Sequence, residues 1–320
     1  MSKILSTTPL FEVEAERLGA DGHELWMPSQ PGTLLREDLL SRLPEADALL
    51  CLLSDRIDAE LLCAGSRLKL VANIGVGYEN IDIESAQDLG IAVTNTPDVL
   101  TEATADMTFA LLLAAARRIP EANAALRAGQ FPAWRLDQPL LGLDVHGKTL
   151  GILGMGRIGA AVARRGRHGF VMRVLYHNRS RKKEFEEEIG AEFVAFERLL
   201  RESDFLCVHV PGTDETRHLI DADALALMKS TAILVNAARG PVVDEAALAE
   251  ALATGTIAGA GLDVFEREPD VHPRLLETSE RVVLTPHLGS ATRDTRRAMV
   301  RLAVDNVLAV LSGERPITPV

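Results

Sequence analysis

Lys148-Thr-Leu-Gly-Ile-Leu-Gly154-Met-Gly156-Arg-Ile-Gly159 runs from an apolar strand into a helix through three glycines. The spacing Gly154-x-Gly156-x-x-Gly159 has a physical reading. Gly154 permits the tight turn, Gly156 lets a pyrophosphate approach the backbone, and Gly159 lets the helix pack closely on the strand. The helix expected over residues 158–165 then turns free N–H groups and a partial positive charge toward the phosphates. A strand over 171–176 follows, so the segment reads as a complete βαβ unit and predicts a dinucleotide site. Met155, Arg157 and Ile158 sit in the same turn and join the expected cofactor contacts.

The pattern continues on both sides. Downstream, apolar runs at 204–208, 231–236, 257–262 and 282–285 read as further strands after 149–153 and 171–176. Upstream, runs at 3–6, 48–53, 69–74 and 91–94 alternate with helical pattern around 11–18, 34–42, 58–64 and 82–89. Such alternation predicts the α/β class, with two doubly wound parallel-sheet (Rossmann-like) domains. Two long helices join them. The first leads into residues 109–116 and is apolar on nearly all sides, which predicts burial all round, between domains or subunits. The second, about 291–311, is expected to carry the chain back to the first domain. The expected division is therefore 1–99 plus 288–320, and 100–287.

Length and composition bound the rest. At about 150 residues per domain, 320 residues suggest two domains. A hydrophobic content of 47% with 25% charged residues fits a globular chain and argues against disorder. The formal net charge of −12 disfavours general binding to nucleic acid or to an anionic membrane. Cys51, Cys63 and Cys207 form no CxxC pair, and each is expected as a reduced core residue. The first residues, MSKILSTTPLFEVEAE, reach acidic positions too soon for a signal peptide, and the run at 109–116 is far short of a span of about 20 residues. A cytoplasmic protein is expected. Eight histidines show neither HxxxH nor HExxH spacing, so no metal site is expected.

The end of the strand at 171–176 bears on the choice of dinucleotide. A carboxylate there would accept hydrogen bonds from the ribose hydroxyls of NAD. This chain reads Tyr176-His-Asn178-Arg179-Ser180-Arg181-Lys182-Lys183, with Asn178 in place of the acid and four cations after it. Arg179 and the Ser180 hydroxyl suit a 2′-phosphate, so NADP (as NADPH) is the expected cofactor, with NAD at lower preference.

Three more segments put chemistry-capable residues at the carboxyl ends of expected strands, where open α/β sheets bind ligands. They are Asn236-Ala237-Ala-Arg239-Gly240, Asp263-Val-Phe-Glu-Arg-Glu268-Pro269 and Thr285-Pro286-His287-Leu-Gly289-Ser290. Taken singly, Arg239 could be a surface ion pair, Glu268 a turn carboxylate and His287 a loop histidine.

Together with the glycine turn, these segments resemble the D-2-hydroxyacid dehydrogenase family. The likeness extends to Val76-Gly77-Tyr78-Glu-Asn-Ile-Asp82 and to Asn95-Thr-Pro97-Asp98-Val-Leu-Thr-Glu-Ala-Thr104-Ala-Asp106. Within the family the chain looks most like glyoxylate/hydroxypyruvate reductases and the related 2-ketogluconate reductases. The resemblance implies that His287, as imidazolium, gives a proton to the oxygen of a 2-oxo acid while hydride reaches its carbon. Glu268 is expected on the other imidazole nitrogen, which favours the charged ring. Arg239 is expected to bind the substrate carboxylate and polarise the carbonyl. The backbone N–H groups of Val76 and Gly77 would complete the carboxylate site, making 1–99 plus 288–320 the substrate domain and 100–287 the dinucleotide-binding domain. A site shared in this way implies closure on ligand. Asp263 would orient the nicotinamide carboxamide. Thr104, Val210, Pro211, Ala237 and Gly289 are further cofactor positions by resemblance; a structural role is equally open for Thr104 and for the Val208-His209-Val210-Pro211 turn.

The resemblance also implies a homodimer, as does the apolar helix. Trp134 is the candidate for a tryptophan that such reductases place near the partner's substrate, but the stretch 137–143 is longer than usual, and packing within a dimer arm is the alternative. Val76 stands where the similar phosphite dehydrogenases carry lysine, which argues against phosphite. The expected reaction is reduction of glyoxylate or hydroxypyruvate to the D-2-hydroxy acid. A 2-ketogluconate reductase and an NAD-dependent dehydrogenase of a larger 2-hydroxy acid are the alternatives. An NAD(H)-sensing corepressor-like protein is a remote one, disfavoured by the lack of disordered extensions.

Overall fold

A computed structural model describes every residue except Thr33, Pro132, Ser279 and Glu280. The chain divides into two compact units, Met1–Leu100 with Thr292–Val320, and Thr101–Ala291. In the first, β1 (Lys3–Ser6), β2 (Glu24–Trp26), β3 (Ala48–Cys51), β4 (Leu70–Asn73) and β5 (Ala92–Thr94) form a parallel sheet in the order β2-β1-β3-β4-β5. The helix Arg293–Leu311 packs on β4 and β3 of this unit, and the residues after it tie back to β5 through Val320 N–H to the Val93 carbonyl at 3.1 Å. Buried Asn306 holds that return: its amide oxygen accepts from Ile317 and Thr318 N–H at 2.9 and 3.0 Å.

Among its described residues the second unit has seven parallel strands: β6 (Thr149–Leu153), β7 (Arg173–His177), β8 (Glu192–Phe193), β9 (Phe205–Val208), β10 (Ile233–Asn236), β11 (Gly259–Leu262) and β12 (Val282–Leu284). Their order is β12-β11-β10-β9-β6-β7-β8, so the winding reverses between β6 and β9. In β9 to β11 every residue is buried, because helices cover both faces and a buried parallel strand reads as an unbroken apolar run. Leu150, Ile152, Phe205, Cys207, Ile233 and Val235 face one core, with the helices Thr101–Ala116 and Arg157–Arg164. Leu153, Leu206, Val208, Leu234 and Leu262 face the other, whose helical side includes Glu245–Ala253. This is the two-face alternation a strand imposes.

The structure departs from three local expectations. Within a single chain the helix Thr101–Ala116 is not buried all round: Glu102, Asp106 and Ala110 form an exposed stripe at helical spacing, while buried Leu111, Leu112 and Ala115 belong to the core of its own unit, where the helix packs against β10 and β11. Val171 is outside β7, exposed and at φ +52°, at the turn that follows residues 165–169. Cys63 is exposed, because Leu61 and Leu62 take the buried side of its short helix, whereas Cys51 and Cys207 are buried. Burial pushes the Cys207 thiol up to about 12. The short edge strands β2 and β8 have no counterpart in the sequence reading.

Candidate functional site

The ladder registers of the second unit align His177, Leu153, Val208, Asn236, Leu262 and Leu284 in one row across six neighbouring strands. The residues one step further, Asn178, Gly154, His209, Ala237, Asp263 and Thr285, therefore leave the sheet together along its carboxyl edge. Open α/β sheets bind ligands at this edge, next to the strands where the winding reverses. Residues far apart in sequence become neighbours only through this register.

At the reversal, Gly154 has φ +101°, and a Cβ there would lie 2.6 Å from the His209 carbonyl carbon. A Cβ on Gly159 would lie 2.2 Å from the Gly154 carbonyl oxygen, so only glycine lets helix and strand approach this closely. Gly156 is different: a Cβ would meet nothing within 4 Å, which leaves open space over the turn. The helices that start at Ala59, Ile83, Ala222 and Glu245 each have an Asp N-cap accepting a backbone N–H. The helix Arg157–Arg164, capped by Gly156, has no side-chain cap bond and no acidic residue in its first turn. Its amino end thus keeps donors and dipole for an anion, and these residues fit a dinucleotide pyrophosphate.

Asn178 and Met155 are bonded to each other: Met155 N–H donates to Asn178 Oδ1 at 2.6 Å, and Asn178 Nδ2 to the Met155 carbonyl at 3.3 Å. Met155 sends its side chain into the core, and Ile158 packs against the same core. Beyond Asn178, the four cations counted in the sequence are not equivalent. Arg181 lies along Glu186, with contacts of 2.6 to 3.0 Å, and Tyr176 Oη donates to the same carboxylate at 2.7 Å while accepting Lys182 N–H at 2.7 Å. Those bonds hold the Glu186 carboxyl down at about 2, and burial, with the nearby carboxylate, lifts the Tyr176 phenol to about 12. Arg179 and Ser180 are the exposed residues between these two fixed ends, and the Arg179 guanidinium reaches Glu215 at 3.3 Å. Val210 joins the core beside β9, and the Pro211 carbonyl accepts from Thr216 Oγ1 at 2.6 Å.

After β10, Asn236 closes a turn on itself: Nδ2 donates to the Arg239 carbonyl at 2.9 Å and Oδ1 accepts from Ala238 N–H at 3.1 Å. This fixes where the Arg239 side chain starts, and Gly212 leaves room for its stem. Ala237, between them, is buried. Buried Asp263, after β11, holds the segment after β12. Its carboxylate accepts from Thr285 Oγ1, Leu288 N–H and Gly289 N–H, each at 2.7 Å. The Asp263 carbonyl accepts His287 N–H at 2.8 Å. Held this way, His287 has φ +54°, a left-handed backbone that costs a non-glycine residue energy and concentrates at functional sites. Its Nδ1 meets Glu268 Oε2 at 2.8 Å. Gly289 and Thr104 touch: a Cβ on Gly289 would lie 3.3 Å from Thr104 Cγ2.

Burial by itself raises the Glu268 pKa, but the hydrogen bond and charge of His287, the Phe265 N–H and the Arg239 charge outweigh it and hold the carboxyl below its ordinary value. The contact at Nδ1 fixes the orientation of the imidazole ring. Arg239, Glu268 and His287 thus come from three adjacent strand ends. In the first unit, Val76 and Gly77 follow β4, and their carbonyls accept from Asn95 Nδ2 at 2.7 Å and Asn73 Nδ2 at 2.6 Å. Sequence reading assigns no role to Asn236 or Thr285. Their signal lies in the Asn-x-x-Arg and Thr-Pro-His spacings, but it becomes readable only with both partners in view.

Comparison with known proteins supplies the family. Residues 109–289 match the D-isomer specific 2-hydroxyacid dehydrogenase, NAD binding domain. Over 298 residues the chain is 54% identical to the glyoxylate reductase of Aeropyrum pernix, covering 92% of this chain and 88% of that protein. A crystal structure of a Thermus thermophilus protein superposes with a TM-score of 0.92 at 45% identity, covering 99% of both chains. The NADPH-dependent glyoxylate/hydroxypyruvate reductase of Sinorhizobium meliloti, solved with NADP and malonate, gives a TM-score of 0.85 at 38% identity over 100% of this chain and 96% of that one.

Proposed function

The chain belongs to the D-isomer-specific 2-hydroxyacid dehydrogenase family, and from that premise we propose that it reduces glyoxylate to glycolate and hydroxypyruvate to the D-2-hydroxy acid, with NADPH preferred over NADH, as a cytoplasmic homodimer. The observation that carries this reading is the row of strand ends that delivers Arg239, Glu268 and His287 along the same sheet edge as the glycine-lined helix start. When bound, the dihydronicotinamide supplies hydride to the carbonyl carbon. His287 gives the proton that the carbonyl oxygen then requires, from the nitrogen not bonded to Glu268. Arg239 holds the substrate carboxylate and draws charge toward the carbonyl oxygen. Glu268 orients the imidazole through its contact at Nδ1.

NADPH preference is supported by Arg179 and Ser180, exposed at the end of β7 with an amide at Asn178 where a carboxylate would repel a 2′-phosphate. Self-association is supported by Phe131, Trp134 and Leu136, each more than four-fifths exposed in the single chain. The decisive experiment measures initial rates on glyoxylate, hydroxypyruvate, pyruvate and 2-ketogluconate, with each nicotinamide cofactor. Selective oxidation of NADPH by glyoxylate and hydroxypyruvate is expected. Preference for 2-ketogluconate or for NADH would replace that part of the proposal, and inactivity on all four would remove it.

A further inference from the structure

The loop that carries Glu268 is held at both ends by one buried carboxylate outside the group just described. Glu245 is the first residue of the helix Glu245–Ala253 and is 6% exposed. Its position is set from two directions: Asp244 caps the helix by accepting Ala247 N–H at 2.9 Å, and Leu248 and Ala249 are buried on the helix's inner side. From there Oε1 accepts Glu266 N–H, and Oε2 accepts His272 N–H at 3.1 Å. Glu266 returns the contact, its Oε1 accepting Glu245 N–H at 3.0 Å and meeting His218 Nε2 at 3.0 Å.

Between Glu266 and His272 the chain doubles back, with Asp270 N–H donating to the Arg267 carbonyl at 2.8 Å. Glu268 sits in that reversal, with Oε1 on Phe265 N–H at 3.1 Å and Oε2 on His287. The floor of the loop is equally confined. Gly240, next to Arg239, comes so close to Phe265 that a Cβ there would lie 1.9 Å from its carbonyl carbon.

We propose that Glu245 is a positioning residue: its carboxylate, by binding the two backbone N–H groups that bracket the loop, sets the reach of Glu268 to His287. The proposal rests on the assignment of His287 as proton donor. Charge-assisted bonds to backbone N–H groups are stronger than neutral ones, and a misplacement of about 1 Å can cost roughly 100-fold in rate. The groups facing Glu268 are His287, Arg239 and the Phe265 N–H. If the loop shifts, their support for the ionised carboxylate weakens together.

The test uses full-length protein carrying Glu245→Ala or the milder Glu245→Gln, which keeps one acceptor oxygen. Three quantities are read: NADPH affinity by fluorescence, kcat and KM for glyoxylate across pH, and the His287 Nδ1 signal in ¹⁵N-histidine-labelled protein without substrate. Expected are NADPH affinity within about twofold of the parent and kcat lower by about 10- to 100-fold in Glu245→Ala, with a smaller loss in Glu245→Gln. The acid limb of kcat/KM should move up toward the ordinary carboxylate range, and the Nδ1 signal should change. An unchanged Nδ1 signal and unmoved acid limb in a variant that still binds NADPH would overturn the proposal, whatever its rate. If the parent protein reduces no 2-oxo acid, the proton-donor assignment fails instead, and the Nδ1 signal still decides whether Glu245 sets the Glu268–His287 contact.

Discussion

His287 and Glu268 meet at 2.8 Å, and that contact makes a directional statement about pH. A carboxyl held below its ordinary value stays ionised as pH falls through the ordinary glutamate range, near about 4.3, and its contribution disappears only below that. The acid-side loss in kcat/KM for 2-oxo acid reduction should therefore lie below about 4.3, measured by brief pH-jump assays. A limb at or above that value would show Glu268 titrating as an isolated carboxylate. Arg179 makes a second residue-scale prediction. Losing one charge-assisted contact to a 2′-phosphate should raise KM for NADPH roughly tenfold in Arg179→Ala and leave that for NADH nearly unchanged. Equal effects on both would mean Arg179 does not read the phosphate. Arg181 should matter less to this ratio, because its guanidinium is engaged by Glu186.

Elements were legible where burial made their pattern uniform. Strands β9, β10 and β11 are covered on both faces, so each reads as an apolar run, broken only by Asn236 at the end of β10. The edge strands β2 and β8 span three and two residues, with Glu24, Glu192 and Phe193 exposed, and carry no such pattern. The turns between strands and helices were legible through glycine, but the reasons differ by position. Gly159 admits a helix against a strand, and Gly240 admits the Arg239 turn against the loop that carries Glu268. Gly240→Ala must therefore move backbone against backbone. A stability loss of about 1–3 kcal/mol is expected by chemical denaturation. Activity should fall with it while NADPH affinity is retained, because the glycine turn lies elsewhere along the sheet edge. Loss of NADPH binding in a folded Gly240→Ala protein would contradict that separation.

For the whole molecule, His209 connects the fold to pH. It follows β9 at the point where the winding reverses, and its buried Nε2 has no hydrogen-bond partner among the described residues. Burial lowers its pKa from 6.5 to about 4. Between these values the unfolded chain binds the proton and the folded one does not, so stability should fall as pH drops from 6.5 toward about 4. Glu268, being depressed, contributes its loss only below the ordinary carboxylate range, which separates the two effects. Denaturation midpoints across this window should slope less in His209→Gln; an equal slope would remove His209 as the cause. The sequence alone determined the α/β class, the parallel strands, the glycine turn and the identity of the motifs, because these rest on side-chain period and on steric needs local to a few residues. Tertiary structure decided which groups pair: Arg181 with Glu186, Cys63 outward, Asp263 under the His287 segment, and Glu245 across both ends of the Glu268 loop. Such choices depend on distances between residues that are remote along the chain. The sheet register sets those distances, and no local period encodes them.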